Sequence, residues 1–443
     1  MDRRIWDEKL ETLSPRDQAS MECERLGLQL EYVFSNSPFY QRKLAQAGLD
    51  PKQIRDVEDL SKLPFTTKAE LRESQVLAPP FGDYLAAPRD SLSVVHRTSG
   101  STGRFLFTTL TSNDMAQTNE CGARAFWAAG LRPHHTVVHC LNYSLWMGGF
   151  TDHRNLEATG AAVVPFGVGN STRLLEMIGD AGVDAISCTP SYPRVLESVV
   201  RKEFGIEPSE LGIGLGLFGG EPGLENPRFR SRIEETWGMR ASNANYGMAE
   251  AVCNFASECD EDRSLHFFGQ GALLAQLIEP ESGEDLPLQQ GITGELVLTH
   301  LGREAQPLVR YRTRDVIECL STRPCGCGRT GFRFAIVGRS DDMVQVRGVN
   351  VFPTAIAKVL QEMTPEVTGE FQITLAGPGP YDYLDINVER GDSVSAGDLQ
   401  ALKARVESGL KQTLSFTAKV ALIQPHSISQ TEMGKTSRGI RTG

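Results

Sequence analysis

Thr98-Ser99-Gly100-Ser101-Thr102-Gly103-Arg104 gathers hydroxyls, glycine backbone and one cation into a single short run. A loop of that composition can wrap a polyphosphate with N–H, O–H and guanidinium donors. It is not a Walker loop, because the GxxxxGK[ST] pattern opening a helix is missing, and taken alone it reads equally as a Ser/Gly hairpin. Gly214-Leu215-Gly216-Leu217-Phe218-Gly219 matches GxGxxG, yet Glu221 and Pro222 follow at once and no helix opens at the third glycine. A buried strand ending in a tight turn accounts for it better than a dinucleotide site. In Tyr246-Gly247-Met248-Ala249-Glu250 the ring could stack on a base and the carboxylate could hold Mg²⁺ near phosphates; the plainer reading is a turn followed by a helix with an acidic first residue. In Arg312-Thr313-Arg314-Asp315 the carboxylate could accept both hydroxyls of a ribose, or simply form a surface ion pair.

A second kind of chemistry is suggested by Cys259, His266, Cys325 and Cys327, a Cys₃His set of the right types and number for structural zinc. The Cys-x-Cys spacing is less diagnostic than Cys-x-x-Cys, and two free cysteines in a Gly-rich turn are the alternative. Nine cysteines in all, an odd number, argue for reduced thiols or metal ligands over a disulfide framework. With 45 Lys+Arg against 56 Asp+Glu the net charge is -11 and no basic block stands out, so neither nucleic acid nor an anionic membrane is expected as main partner. The charged start MDRRIWDEKLETLSPRDQ lacks an apolar leader core and no run approaches the ~20 apolar residues of a membrane span, so a cytoplasmic protein is expected.

These residues must be held by elements, and the hydrophobic pattern supplies them. Residues 3 to 75 alternate charged and apolar side chains at helical spacing and predict a helical lobe. SLSVVH and FLFTTLT are strand-like runs flanking the Ser/Gly loop; TVVHCL, AAVVPF, DAISCT and LGIGLGLF are short apolar strands separated by helix-like segments, the signature of an at least partly parallel α/β sheet. GELVLTH and LVRYRTRDVIEC lack intervening helices and suggest a β subdomain. Beyond a boundary near Gly338 to Asp342 comes an α+β unit: helix 354–363, strands FQITL and YLDINVE, helix 396–410 and strand AKVALIQ. The expected fold class is therefore α/β, with a large N-terminal domain over 1–338 that includes the β subdomain, a linker at 339–342 and a small α+β domain over 343–443.

TSGSTGR, GGEP at 219–222, YGMAE, YRTRD, GRSDDM, RGVNVFP at 347–353 and GK at 434–435 occur in the order and approximate spacing of adenylate-forming enzymes. SPFYQRKLAQAGLDP, DLSKLPFTTKAELRE and RGVNVFPTAI resemble the phenylacetate–CoA ligase branch of that superfamily, and the resemblance covers nearly the whole chain. It implies that Thr98, Ser99, Gly100, Ser101, Thr102 and Gly103 hold the phosphates of ATP, that Gly220, Glu221, Pro222, Tyr246 and Gly247 enclose adenine, and that Asp315 binds the ribose with Arg339 nearby. It further implies that Glu250 helps hold Mg²⁺, that Lys435 bridges the carboxylate oxygen and the α-phosphate, that Asp341 is the hinge, and that Gly348 lines the coenzyme A path. LNYSLWMGGF resembles the segment lining the acyl pocket, so Tyr143, Trp146, Gly148 and Gly149, with Met248, are candidates for contact with an aryl or arylacetic acid. Members of the branch can also carry zinc at positions like the Cys₃His set. Two departures are visible: Arg104 stands where the loop usually ends in Lys, and TEMGKTSRG carries one residue more before Gly-Lys. The implied reaction is ATP-dependent formation of an acyl-AMP and then a coenzyme A thioester. Transfer to a carrier-protein phosphopantetheine or another acceptor, a non-catalytic nucleotide-binding protein, and a homodimer stay open.

Overall fold

Ser14 starts the first long helix by accepting from the Asp17 N–H at 3.2 Å, with Pro15 at the first helical position, where its missing donor costs nothing. The computed structural model describes residues 4–442 except 51–52, 55–56, 99–104, 348, 377–378, 380, 426 and 429–438. Its chain divides into two units, the first comprising Met1–Gly220, Ile233–Thr313 and Ile317–Ala335, the second Glu221–Arg232, Arg314–Val316 and Ile336–Gly443.

The first unit begins with α1 (Glu8–Glu11), α2 (Pro15–Asn36), α3 (Pro38–Ala47) and α4 (Lys68–Leu77). Gly48 in the left-handed region (φ 66°) ends α3, and a reciprocal Thr67–Glu70 capping box starts α4. Next come the antiparallel hairpin of β1 (Leu92–Arg97) and β2 (Phe107–Thr111), then α5 (Ser112–Ala128). The predicted alternation follows: β3 (Thr136–His139), α6 (Met147–Ala158), β4 (Ala162–Pro165), α7 (Ser171–Ala181), β5 (Ala185–Cys188), α8 (Tyr192–Val199), β6 (Leu215–Gly219), α9 (Pro227–Trp237) and β7 (Arg240–Asn245). The five strands form one parallel sheet in the order β4-β3-β5-β6-β7. Helices on its faces explain why β5 and β6 are buried at every residue and read as continuous apolar runs. His139, Cys188, Gly219 and Asn245 end strands at its carboxyl edge, where parallel sheets hold ligands.

The expected β subdomain is a seven-stranded sheet of β8 (Ala256–Ser257), β9 (Leu265–Phe267), β10 (Leu273–Ile278), β11 (Asp285–Leu286), β12 (Thr293–His300), β13 (Tyr311–Ser321) and β14 (Arg333–Arg339), in the order β11-β10-β12-β13-β14-β9-β8. The second unit holds the β15 (Val344–Val346) and β16 (Val349–Val351) hairpin, α10 (Pro353–Glu362), β17 (Val367–Ala376), β18 (Leu384–Arg390), α11 (Leu399–Leu414), β19 (Ala418–Ile423) and β20 (Gly439–Thr442). Its sheet order is β19-β18-β17-β20, and α10 and α11 close a core that includes Ile356, Leu360, Phe371, Ile386, Val406 and Leu410. Two local expectations shift. The helix predicted from residue 396 opens as a 3₁₀ turn and runs as α11 to Leu414, ending at Ser415 in the left-handed region (φ 57°). The short GIRT segment, which carries no strand pattern, pairs in parallel with β17.

Candidate functional site

The register of β1 and β2 runs from Leu92↔Thr111 to Arg97↔Phe107, so the Ser/Gly loop is the hairpin connection. Thr98 is buried and closes it: its N–H donates to the Leu106 carbonyl at 2.8 Å and its Oγ1 accepts from the Leu106 N–H at 3.3 Å. Ser99, Gly100, Ser101, Thr102, Gly103 and Arg104 lie outside the described residues, as do Gly348 and Lys435. Just before the loop, the Arg97 guanidinium lies 4.0 Å from the Phe105 ring and 5.7 Å from the Trp146 ring, linking both loop ends to the segment that starts α6.

Residues 246 to 249 follow β7 and, like Asn245 at its end, are half-exposed. The Tyr246 N–H donates to the Ala256 carbonyl at 2.9 Å, and its ring meets the edges of Phe255 and Phe334 at 5.2 and 5.6 Å. A Cβ at Gly247 would stand 1.9 Å from the Cys253 carbonyl oxygen, so only glycine fits. The Met248 N–H donates to the Val252 carbonyl at 3.0 Å. The segment is thus a closed turn, and no helix opens at Glu250. The Glu250 side chain is buried with the Lys68 ammonium, from the first residue of α4, 2.6 Å away. A carboxylate is the right donor type for a metal ion on phosphates, and here such an ion would share it with Lys68. Sequence reasoning missed Lys68; nothing short of tertiary structure joins two residues so far apart in the chain.

Gly220 (φ 80°) ends the β6 turn, and Glu221 and Pro222 belong to the second unit. Within that unit Asp315, Arg339 and Asp341 are brought together: Arg339 Nη1 is 2.9 Å from Asp315 Oδ1, while its Nε and Nη2 each reach Asp341 carboxylate oxygens at 3.0 Å. The bidentate fork fixes the guanidinium in a plane. Ser340 also donates its N–H to the Arg314 carbonyl at 2.7 Å.

The segment 143–149 packs by equally specific contacts. Gly149 admits no side chain, since a Cβ would stand 2.1 Å from the Asn142 carbonyl oxygen, whereas a Cβ at half-exposed Gly148 would meet nothing closer than Asp152 Oδ2 at 3.6 Å. Tyr143 Oη is 2.9 Å from His153 Nδ1, and His153 Nε2 is 3.2 Å from Glu157 on the next turn of α6, a phenol–imidazole–carboxylate chain absent from the sequence reading. Burial pushes the Tyr143 phenol up. His139 meets the Gly148 and Gly149 carbonyls through Nε2 at 3.0 and 3.1 Å and Ser187 Oγ through Nδ1 at 3.1 Å; burial pushes it down to about 4, so at neutral pH it is an uncharged brace for the helix start.

Cys259, His266, Cys325 and Cys327 converge, all four buried, with their ligand atoms within 4.8 Å of one another. Cys259 Sγ and Cys325 Sγ are 3.9 Å apart, and Cys327 Sγ and His266 Nε2 are 3.8 Å apart. These separations match the edges, roughly 3.8 Å, of a tetrahedron with ~2.3 Å metal–sulfur bonds. His266 Nδ1 lies 3.2 Å from the Ser264 carbonyl, which turns Nε2 toward the sulfurs. Hydrogen bonding with Cys259 and then His266 holds the Cys327 thiol far below its usual range. Cys325 and Cys327 share a tight turn, in which Gly328 adopts φ 93° and donates to the Cys325 carbonyl at 2.9 Å.

Residues 348–441 match the family model described as the AMP-binding enzyme C-terminal domain. The chain is 36% identical to a phenylacetate-coenzyme A ligase of Thermus thermophilus over 98% of both chains, and 31% identical to that of Escherichia coli over 97% of this chain and 96% of the other. The crystal structure of a 2-hydroxyisobutyryl-CoA ligase in the postadenylation state, in complex with 2-HIB-AMP, is similar with a TM-score of 0.89 and 31% identity, covering 100% of this chain and 93% of that one. No helix among the described residues is long and apolar enough to cross a membrane.

Proposed function

The chain belongs to the phenylacetate–coenzyme A ligase family of adenylate-forming enzymes, and on that premise we propose how its residues divide the reaction. It activates a carboxylic acid with ATP to an acyl-AMP and passes the acyl group to coenzyme A. In the first step a carboxylate oxygen bonds to the α-phosphorus as the bond to pyrophosphate breaks, and negative charge gathers on the phosphoryl oxygens. Lys435 supplies a cation there and Thr98 to Gly103 hold the departing phosphates. Gly220, Glu221, Pro222, Tyr246 and Gly247 enclose adenine; Asp315, kept in place by Arg339, takes the ribose hydroxyls. Glu250 would hold Mg²⁺, which when bound neutralises phosphate charge. Tyr143, Trp146, Gly148, Gly149 and Met248 line the site of an aryl or arylacetic acid. In the second step the thiol sulfur attacks the acyl carbon along a path past Gly348 and AMP leaves; no protein nucleophile is consumed.

We read residues 1–338 as the domain holding ATP and acid, 339–342 as the hinge and 343–443 as a mobile domain. The Cys₃His set holds structural zinc, and the cytoplasm is where the enzyme meets its nucleotide and thiol. The observation that carries the reading is the near full-length identity to these ligases, supported by the buried Glu250 beside the half-exposed Tyr246 turn.

The test separates the two half-reactions. Carboxylate-dependent pyrophosphate release should fall by about 10²–10³ in Lys435→Ala, whereas thioester formation from supplied acyl-AMP should stay near wild type. Equal loss in both would refute the role given to Lys435. Coenzyme A should be the better acceptor when compared with a holo-carrier protein in the same assay.

A further inference from the structure

Below Gly148 and the 245–249 turn lies a polar cluster that the adenylation chemistry leaves unused. Asp152, buried on α6 one turn past Gly148, accepts from Asn245 Nδ2 at 2.6 Å on Oδ2, and from Cys253 Sγ at 3.1 Å and Asn155 Nδ2 at 3.3 Å on Oδ1. No cation pairs with it among the described residues. Apolar neighbours of Cys253, including Met147 and Leu110, close the far side. A carboxyl in such a setting is retained at a cost unless its donors hold it, and here three do.

What Asp152 fixes in turn is Asn245. With its NH₂ given to Asp152, the amide turns its carbonyl oxygen the other way. Gly219 makes room for the Asn245 stem, since a Cβ there would come within 2.6 Å of Asn245 Cβ. Asn245 is half-exposed at the carboxyl end of the edge strand β7, directly before Tyr246, and no donor among the described residues reaches its Oδ1. A fixed acceptor is thus presented at the edge of the parallel sheet beside Gly148.

We propose that Asn245, positioned by Asp152, determines specificity, and that the acid this enzyme activates carries a hydrogen-bond donor, a hydroxyl or an amino group, for Asn245 Oδ1. The inference rests on the ligase reading above and names the substrate class within it. A site built to bond such a group discriminates strongly against analogues lacking it, because the acceptor is then left unpaired.

The experiment is a kcat/KM panel on the full-length enzyme with aryl, arylacetic and short branched acids, each offered unsubstituted and with hydroxyl, amino, methoxy and methyl groups. The expected result is a preference of tenfold or more for the best hydroxy or amino acid over its methyl and methoxy counterparts, and the two donor arms distinguish the sources. Asn245→Leu should bring that ratio toward one, and Asp152→Asn should lower it while leaving the KM for ATP unchanged, which a loss of folding alone would not produce. If either variant fails to fold, the wild-type ratio decides. Turnover without donor preference, or preference for an acceptor-only methoxy acid, overturns the inference alone; no pyrophosphate release with any acid overturns the ligase reading and this inference with it.

Discussion

At the scale of single residues, the glycines that start α6 differ in what they leave room for. Gly149→Ala would drive a Cβ into the Asn142 carbonyl, so it should destabilise the enzyme by about 1–3 kcal/mol, read as a lower thermal unfolding temperature. Gly148→Ala meets only ordinary contacts and should unfold near the wild-type temperature while raising the KM for the acid. Asp152 offers a second residue-scale test. Burial pushes its carboxyl up to about 7, against 3.8 ordinarily, with the donors from Cys253, Asn245 and Asn155 opposing. A group raised on folding contributes stability that is complete below its unfolded value and lost as pH rises through the folded one. Wild type should therefore lose stability relative to Asp152→Asn between about pH 4 and 7, by up to roughly 4 kcal/mol. Whatever the offset at low pH, the gap in unfolding temperature between variant and wild type should move in the variant's favour over that range and then level off. A flat gap would mean that Asp152 ionises freely in the folded protein.

At the scale of elements, the Cys₃His centre joins the loop after β8, strand β9 and the turn between β13 and β14, with Ala125, Ala128 and Phe268 packed around it. Its geometry suits a closed tetrahedral ion, so purified protein should contain about one zinc per chain by elemental analysis. Cys325→Ser should lose the metal and unfold at lower temperature, yet the surviving folded enzyme should turn over near the wild-type rate; a metal-free preparation as stable as wild type would remove the idea. This centre was legible in the sequence because ligand types and number are local chemistry, and the parallel strands were legible because burial on both faces leaves continuous apolar runs. The Lys68–Glu250 pair, the Tyr143–His153–Glu157 chain and the Asp152 cluster were not. Each joins residues whose individual types are commonplace at a helix start, on a helix face or after a strand, and only packing brings them into contact. β20 escaped for a related reason: its short Gly-Ile-Arg-Thr run has no alternation of its own, and its pairing with β17 is what makes it a strand.

At the scale of the whole molecule, the proposed reaction demands two sites in sequence from one chain. A centre closed over the α-phosphate by Lys435 cannot at the same time admit a thiol, so the 343–443 domain must present a different face for the second step. That rotation has to be absorbed by a few backbone dihedrals, and 339–342 is where it is proposed to occur. Within the second unit this stretch is not slack: Arg339 is forked onto Asp341 and paired with Asp315, and Ser340 is bonded to the Arg314 backbone. A rotation at Asp341 would therefore exchange the Arg339 fork for other contacts. Proline fixes φ near -65° and removes the carboxylate as well. Asp341→Pro should accordingly keep substantial carboxylate-dependent pyrophosphate release and lose acyl-CoA formation from preformed acyl-AMP, the converse of Lys435→Ala. Asp341→Ala separates the two losses, since it removes the carboxylate and leaves φ free; it should retain most thioester formation if the rotation is what matters. Should Asp341→Pro form thioester at the wild-type rate, residue 341 is not the hinge. Should alanine and proline fail alike, the Arg339–Asp341 pair and not backbone freedom carries the second half-reaction.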